Sequence, residues 1–134
     1  MQKALILLIF TLLFLNSKAQ NDVLKITATL PKNLKAGHSY KIKVKVAHNF
    51  KLEKTGGLTC SLVNAKTHKS VDGWFLNIFP FQYFTTIANT PFETEFPFTV
   101  ADEYKEALDI ELVASVNEIK DSIHLHTPIV KKLP

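Results

Sequence analysis

The segment YKIKVKV at residues 40–46 decides the fold class of this chain. Its apolar and lysine residues alternate without interruption, which is the period-two pattern of a β-strand with one buried and one solvated face. The alternation recurs from residue 22 onward, and no later stretch has the three-four apolar spacing of an amphipathic helix. The sequence therefore predicts an all-β domain.

Further short strands flank this segment on both sides, separated by polar or proline-containing turns such as residues 33–37. Seven to eight strands in about 115 residues are typical of an antiparallel β-sandwich of the immunoglobulin or fibronectin type III kind. Residues 73–84 are almost uniformly apolar and predict two short strands around a bend at Pro80. The pattern does not indicate which face of these strands is buried. Residues 108–116 and 123–129 predict a closing hairpin. Inward-facing positions expected in the other strands are Leu24, Ile26, Ala28, Leu30, Leu58, Cys60, Leu62, Phe92, Thr94, Phe96, Phe98 and Val100.

Charges and one proline predict how two of these strands are placed. In such sandwiches the second strand commonly pairs with the fifth, which sets the lysines at 41, 43 and 45 opposite Glu93 and Glu95. Opposite charges at facing positions stabilise a strand pair by about 0.2 to 1 kcal/mol. Pro97 cannot donate a ladder hydrogen bond, so we expect its strand at a sheet edge or a bulge.

Residues 1–19 have the features of a secretory signal peptide. A positive charge at Lys3 precedes a twelve-residue apolar run, and small residues at positions 17 and 19 form a cleavage pattern before Gln20. The run is shorter than the roughly 20 apolar residues of a spanning helix. We expect a mature chain of residues 20–134, a single β-sandwich domain without a membrane span, which is exported to the periplasm or secreted.

The composition argues against several classes of function. All sixteen basic residues are lysine, so the chain lacks the side chain best suited to bidentate recognition of phosphate and guanine, and we expect no nucleic-acid partner. The single cysteine, Cys60, cannot form an intrachain disulfide or a cysteine-only zinc site. Nucleophile-elbow, phosphate-loop and His-Glu-x-x-His motifs are absent, so we expect a non-catalytic protein without a cofactor.

Five segments occur in an order that suggests a family. They are LPKNLKAGHSY at 30–40, TCSLVNAKTHKSVDGWF at 59–75, QYFTT at 82–86, FPFTV at 96–100, and the closing stretch 113–130. Together they resemble one macroglobulin-like sandwich domain of the α2-macroglobulin family, over residues 23–130. The resemblance implies a free-standing scaffold or contact domain. The Cys-Gly-Glu-Gln thioester signature of that family is absent, and the chain has no room for a bait region. Protease trapping is therefore not implied.

Aromatic residues are concentrated between residues 74 and 98. Trp74 and Phe75 are adjacent, so in an extended strand they point to opposite faces. Parity with the neighbouring apolar residues at 76 and 78 places Trp74 in the core and Phe75 on the surface. We predict that Phe75, Phe81 and Tyr83 form a contact surface, since exposed apolar patches on soluble domains tend to mark interaction sites. The expected partner is another exported or envelope protein, or a second copy of this chain.

A pair of histidines gives an alternative function. His124 and His126 lie on one face of the predicted last strand, and Glu111 or Asp109 lies on the same face of its partner strand. Two imidazoles and a carboxylate can ligate zinc or copper, so a small metal-binding protein that uses His124, His126 and Glu111 is the second hypothesis. The same residues also fit ordinary cross-strand pairs on a solvated face. Cys60 should be buried and behave as a small hydrophobe.

The signal-peptide prediction has a direct test. Because the small-x-small pattern ends at Ala19, we expect N-terminal sequencing of the protein recovered outside the cytoplasm to begin at Gln20. Recovery of the mature protein with Met1 at its start would contradict the prediction.

Overall fold

A computed structural model describes residues 21–130 of the protein, which form an all-β structure. The predicted antiparallel β-sandwich is confirmed, whereas the predicted signal peptide lies outside the described residues. No helix long and apolar enough to cross a membrane occurs within residues 21–130. Over that range the elements are β1 Leu24–Thr29, β2 Leu34–Lys35, β3 Ser39–His48, β4 Thr55–Asn64, a 3₁₀ turn Asp72–Trp74, β5 Phe81–Thr85, β6 Phe92–Thr99, β7 Leu108–Val116, β8 Ile119–Thr127 and β9 Ile129–Val130.

Two antiparallel sheets carry the sandwich. The first has the strand order β1-β3-β6, and the second has the order β5-β4-β7-β8. The two-residue strands β2 and β9 pair in parallel, with Leu34 opposite Ile129. Residues 33–37 are therefore not only a turn, and Leu34 is fully buried. A pairing between such distant residues leaves no local pattern in the sequence, so the expectation of a simple turn was incomplete.

The strand β3 is the centre of the three-stranded sheet, and its charge pattern matches the prediction. Lys43 lies opposite Glu95 and Lys45 lies opposite Glu93 in the β3–β6 register. Lys41 Nζ lies 3.5 Å from Glu95 Oε2, one step along the same face. These side chains are exposed, so each pair contributes about 1 kcal/mol or less. They add little stability, but they form in the same strand register that burial of the apolar face requires.

The core lies between the two sheets and is built from alternate residues of each long strand. Leu58, Cys60 and Leu62 are fully buried on β4, as predicted. On β6 the alternation holds for Phe96 and Phe98, which are fully buried, while Phe92 and Thr94 are half-buried. Burying a large apolar side chain stabilises the fold by about 1.5–3 kcal/mol. The other core members are Leu24, Ile26, Ile42, Val44, Val46, Phe50, Phe84, Val100, Leu108, Ile110, Leu112, Ala114 and Val116.

The segment before β5 departs from the two-strand prediction. The carboxylate of Asp72 accepts a hydrogen bond from Leu62 N–H at 2.8 Å, which holds the 3₁₀ turn against β4. Leu76 N–H then donates to the carbonyl of Pro97 at 2.9 Å, at the free side of β6. Residues 72–80 therefore form a turn and an irregular crossing, and β5 is the one strand within residues 73–84. The prediction that Pro97 marks a sheet edge is confirmed, because β6 ends its sheet.

Polar contacts link the two sheets at both open sides of the sandwich. At one side, the carboxylate of Asp121 on β8 accepts a hydrogen bond from Ile26 N–H on β1 at 2.7 Å. At the other side, the Thr94 hydroxyl on β6 donates to the Gln82 side-chain oxygen on β5 at 2.8 Å. The Asp121 contact gives an outward-facing amide of β1 the partner that it lacks within its own sheet.

The Asp121 contact can be tested by substitution. Asp121→Ala leaves the amide of Ile26 without its acceptor, so we expect a loss of about 1–2 kcal/mol in the free energy of unfolding. Urea denaturation of the purified protein measures this loss. Asp121→Asn is the matched control, because it keeps an acceptor oxygen and should lose less. An alanine variant as stable as the unchanged protein would contradict the assignment.

Candidate interaction surface

The strand β5 presents aromatic side chains on the outer face of the four-stranded sheet. Its even-numbered residues point into the sandwich, where Phe84 is buried and stacks on Phe92 at 4.9 Å between ring centroids. Its odd-numbered residues point to the outside, so Phe81 and Tyr83 share the solvated face. The structure thus brings two of the three predicted contact residues together.

A glycine on the neighbouring strand shapes this surface. Phe81 and Tyr83 meet edge to face, with ring centroids 4.6 Å apart. The Phe81 ring lies over Gly57 on β4, where an added Cβ atom would come within 3.0 Å of a ring carbon. Because Gly57 has no side chain, the Phe81 ring can lie against the sheet, and it is 40% exposed. The Tyr83 side chain is 76% exposed.

Phe79 is a third exposed ring next to these two in the chain, although the sequence prediction omitted it. Its side chain is 82% exposed and it lies two residues before Phe81. Phe79, Phe81 and Tyr83 are called the β5 aromatic surface below. The apolar run of residues 73–84 contained this ring, but the chain bends at Pro80 just before β5, so the alternation of β5 could not predict where Phe79 points.

Trp74 packs against the core as predicted, whereas the prediction that Phe75 lies on the surface was wrong. Both side chains are half-buried and pack against the core, and Phe75 does not join the β5 aromatic surface. The Phe75 ring lies 5.9 Å from that of Phe96, and the Trp74 ring lies edge-on to Tyr104 at 4.7 Å. Leu76, expected inside, is 42% exposed. Parity failed because Trp74 ends a 3₁₀ turn, in which successive side chains do not alternate between two faces.

The predicted histidine cluster lies on the far part of the same outer sheet face. In the β7–β8 register, His124 faces Glu111 and His126 faces Asp109. His126 Nδ1 lies 2.6 Å from Asp109 Oδ1, and His124 Nε2 lies 3.8 Å from Glu111 Oε2. Each histidine is therefore matched with its own carboxylate. This is the cross-strand pairing that the sequence allowed as the other interpretation.

The geometry does not assemble the alternative metal site. Within residues 21–130, no group of three or more histidine, cysteine, aspartate or glutamate side chains is placed to hold a metal ion. His124, His126 and Glu111 share a face, but the cross-strand register distributes them into pairs instead of converging them on one point. The described residues thus do not favour the second hypothesis.

Cys60 is placed where a thiol has little reactivity. It is fully buried on β4, between Leu58 and Leu62 on the same face. Burial, together with the nearby negative charge of Asp72, raises its pKa to about 12. The thiolate is the nucleophilic form, so a thiol that stays protonated and buried is inert. The expectation that Cys60 acts as a small core hydrophobe is confirmed.

Comparison with known proteins identifies the architecture. No protein-family model matches the chain, and no curated protein is significantly similar to it. A CARDB domain of a Pyrococcus furiosus protein, solved in complex with di-metal ions, is similar with a TM-score of 0.63. Its sequence identity is 9%, and the match covers 83% of this chain and 96% of that domain. The likeness lies in the fold alone.

A larger protein contains the same kind of domain. The β-glucosidase of Listeria innocua matches with a TM-score of 0.53 and 15% identity, over 84% of this chain and 16% of that enzyme. Its complex with isofagomine matches with a TM-score of 0.55, 14% identity and the same 16% share of the enzyme. This chain thus spans a small part of the glucosidase. The comparisons support a β-sandwich domain and give no support to the macroglobulin resemblance.

The different environments of Phe75 and Tyr83 predict different effects of substitution. Phe75→Ala removes a ring packed on the core, so we expect a loss of about 1–3 kcal/mol in the free energy of unfolding. Tyr83→Ser removes an exposed ring, and we expect a change within about 0.5 kcal/mol. Chemical denaturation of both variants checks the pair. A Phe75 variant with unchanged stability would place that residue back on the surface.

Proposed function

We propose that this chain is a non-catalytic interaction module that contacts another protein, or a second copy of itself, through the β5 aromatic surface. The observation that carries the proposal is the exposure of Phe79 and Tyr83, at 82% and 76%, beside the half-exposed Phe81. Two large rings on an edge strand, with a third two residues before it, form an apolar patch that water solvates poorly. Such patches tend to mark binding sites on soluble domains.

The chemistry of these rings suits protein recognition. An aromatic side chain buries about 150–250 Å² in an interface and loses little conformational freedom when it does so. The phenol of Tyr83 adds a hydroxyl that can donate or accept a hydrogen bond at the rim. Edge-to-face packing of Tyr83 on Phe81, which itself rests on Gly57, pre-organises the rings, so less entropy is lost on binding.

Other features of the chain are consistent with a binding role. Cys60, the one potential thiol nucleophile, is buried and protonated. The carboxylates of Asp109 and Glu111 lie on an open sheet face, whereas catalytic acids need environments that separate their pKa values. The macroglobulin resemblance of the sequence also implies a scaffold or contact domain, without the thioester chemistry of that family. A β-sandwich of this kind is compatible with such a role, but a fold alone does not assign one.

The proposed site of action is outside the cytoplasm. It follows from the signal peptide predicted at residues 1–19, and it makes the partner an exported or envelope protein. The surface charge does not favour a nucleic acid, because the chain lacks arginine and its lysines are interleaved with glutamates on β3 and β6.

Site-specific photocrosslinking tests the proposal in cells. Benzoylphenylalanine in place of Tyr83 keeps an aromatic ring at an exposed position of the proposed surface. We expect covalent protein adducts on irradiation, because a bound partner lies within reach of that ring. Adding Phe79→Ser should reduce the adduct yield severalfold, since it removes a neighbouring contact.

The matched control places the same probe at Lys43, which is exposed on the outer face of the other sheet. We expect no adducts from that position. Equal yields from both positions, or no protein adduct from position 83, would contradict the proposed function.

A further inference from the structure

Each sheet of a sandwich ends in strands whose outer backbone groups have no partner in that sheet. Within residues 21–130, these edge strands are β1 and β6 in one sheet and β5 and β8 in the other. An unprotected edge is a template for pairing with another chain, so proteins usually block it with proline, charge or a covering segment. The four edges of this molecule differ in this respect.

Three of the edges carry such protection. On β1, the outward amide of Ile26 is bound by the carboxylate of Asp121. On β6, Pro97 removes one amide, and Leu76 N–H occupies the carbonyl of the same proline. On β8, Lys120 and Asp121 place charges along the strand. None of these devices is present on β5, which has neither a proline nor a charged residue.

The hydrogen-bond pattern identifies the free backbone groups of β5. Cys60 N–H donates to the Pro80 carbonyl at 2.8 Å, and Thr86 N–H donates to the Lys54 carbonyl at 2.8 Å. Even-numbered residues of this strand therefore face β4, because donors alternate sides along an antiparallel strand. The amides and carbonyls of residues 81, 83 and 85 point away from the sheet. The same residues supply the aromatic side chains of the outer face, so free backbone and exposed rings coincide.

We propose that β5 pairs antiparallel with β5 of a second copy of this chain, about a twofold axis at Tyr83. The inference rests on the proposed function and specifies its partner and its geometry. Tyr83 then faces Tyr83 of the second copy, and Phe81 faces its Thr85. The three facing pairs are 83 with 83, 81 with 85, and 85 with 81. The free amide and carbonyl of each residue then meet those of the residue opposite, which gives about six backbone hydrogen bonds between the two copies. Two four-stranded sheets become one continuous sheet.

The sequence of this segment favours a second copy of the chain as the partner of β5, because the segment is compatible with antiparallel pairing to itself. A twofold axis at Tyr83 brings the end of β5 that follows Phe79 to the end of the other copy's β5 that leads to Ile87, and these side chains are 82% and 57% exposed. Residues 79–87 contain no charged side chain, so the pairing brings no like charges together. Leu76, Phe79, Phe81, Tyr83 and Ile87 are the exposed large apolar residues of this region, and all but Leu76 lie within the self-complementary segment.

Charge exchange at the axis tests the self-pairing. Tyr83→Lys and Tyr83→Glu each place two like charges face to face in the proposed dimer, so we expect each variant alone to associate at least tenfold more weakly than the unchanged protein. An equimolar mixture places opposite charges there and should recover association. Analytical ultracentrifugation of the protein, purified as the cell produces it, measures all three samples.

A second variant tests the backbone contribution without removing a ring. Thr85→Pro eliminates an outward amide that the β4 ladder does not use, and we expect dimerisation to weaken at least tenfold. Thr85→Val is the matched control, because it changes the side chain and keeps the amide, and it should dimerise normally. Thermal melts verify that both variants fold, and the charge-exchange pair decides the question if the proline variant melts early.

A protein that stays monomeric at millimolar concentration, or a mixture of the two charged variants that fails to associate, would overturn the self-pairing. If the position-83 probe then still forms adducts with a different protein, the proposed interaction module stands and this inference alone is lost. If the probe forms no adduct at all, the proposed function is lost as well.

Discussion

The register of β3 against β6 is the constraint on which the rest of the structure depends. Side chains alternate between the faces of a strand, so a slip of one residue would either turn Phe96 and Phe98 toward solvent or bring the lysines of β3 into the core. Burial of these rings therefore opposes any slip far more strongly than the exposed lysine–glutamate pairs do. With this pair fixed, β1 is positioned beside β8 and β6 beside β5, which allows Asp121 and Gln82 to link the sheets.

The candidate surface follows from how the sheet edges are completed. Residues 72–80 cross from β4 to β6 and thereby cover an edge that Pro97 already weakens. The same crossing delivers the chain to β5 with its outer side uncovered and its odd-numbered rings exposed. Protection of one edge and exposure of the other are thus consequences of one connection. An interaction at β5 would complete the one edge strand that carries neither proline nor charge among the described residues.

The two titratable features that suggested chemistry have structural explanations. Cys60 belongs to the core alternation of β4, and burial keeps its thiol protonated. The histidines of β8 are matched one to one with carboxylates of β7, because the hairpin register sets equal positions opposite each other. Neither arrangement concentrates reactive groups in one enclosed place. The proposed function therefore rests on the exposed apolar surface at β5.

The sequence by itself determined the fold class, the core faces of β3, β4 and β7, the edge position of Pro97 and the opposition of lysine to glutamate. The fold class, the core faces and the edge position follow from period-two alternation and from the missing amide of proline, which are local properties of the chain, whereas the opposition of lysine to glutamate follows from the usual strand order of such sandwiches. It also identified Phe81 and Tyr83 as surface residues. Only the tertiary structure decided that Phe75 packs inward, that Leu34 is buried beside Ile129, and that β5 has a free side. Those outcomes depend on contacts between residues far apart in sequence, which alternation within one strand cannot encode.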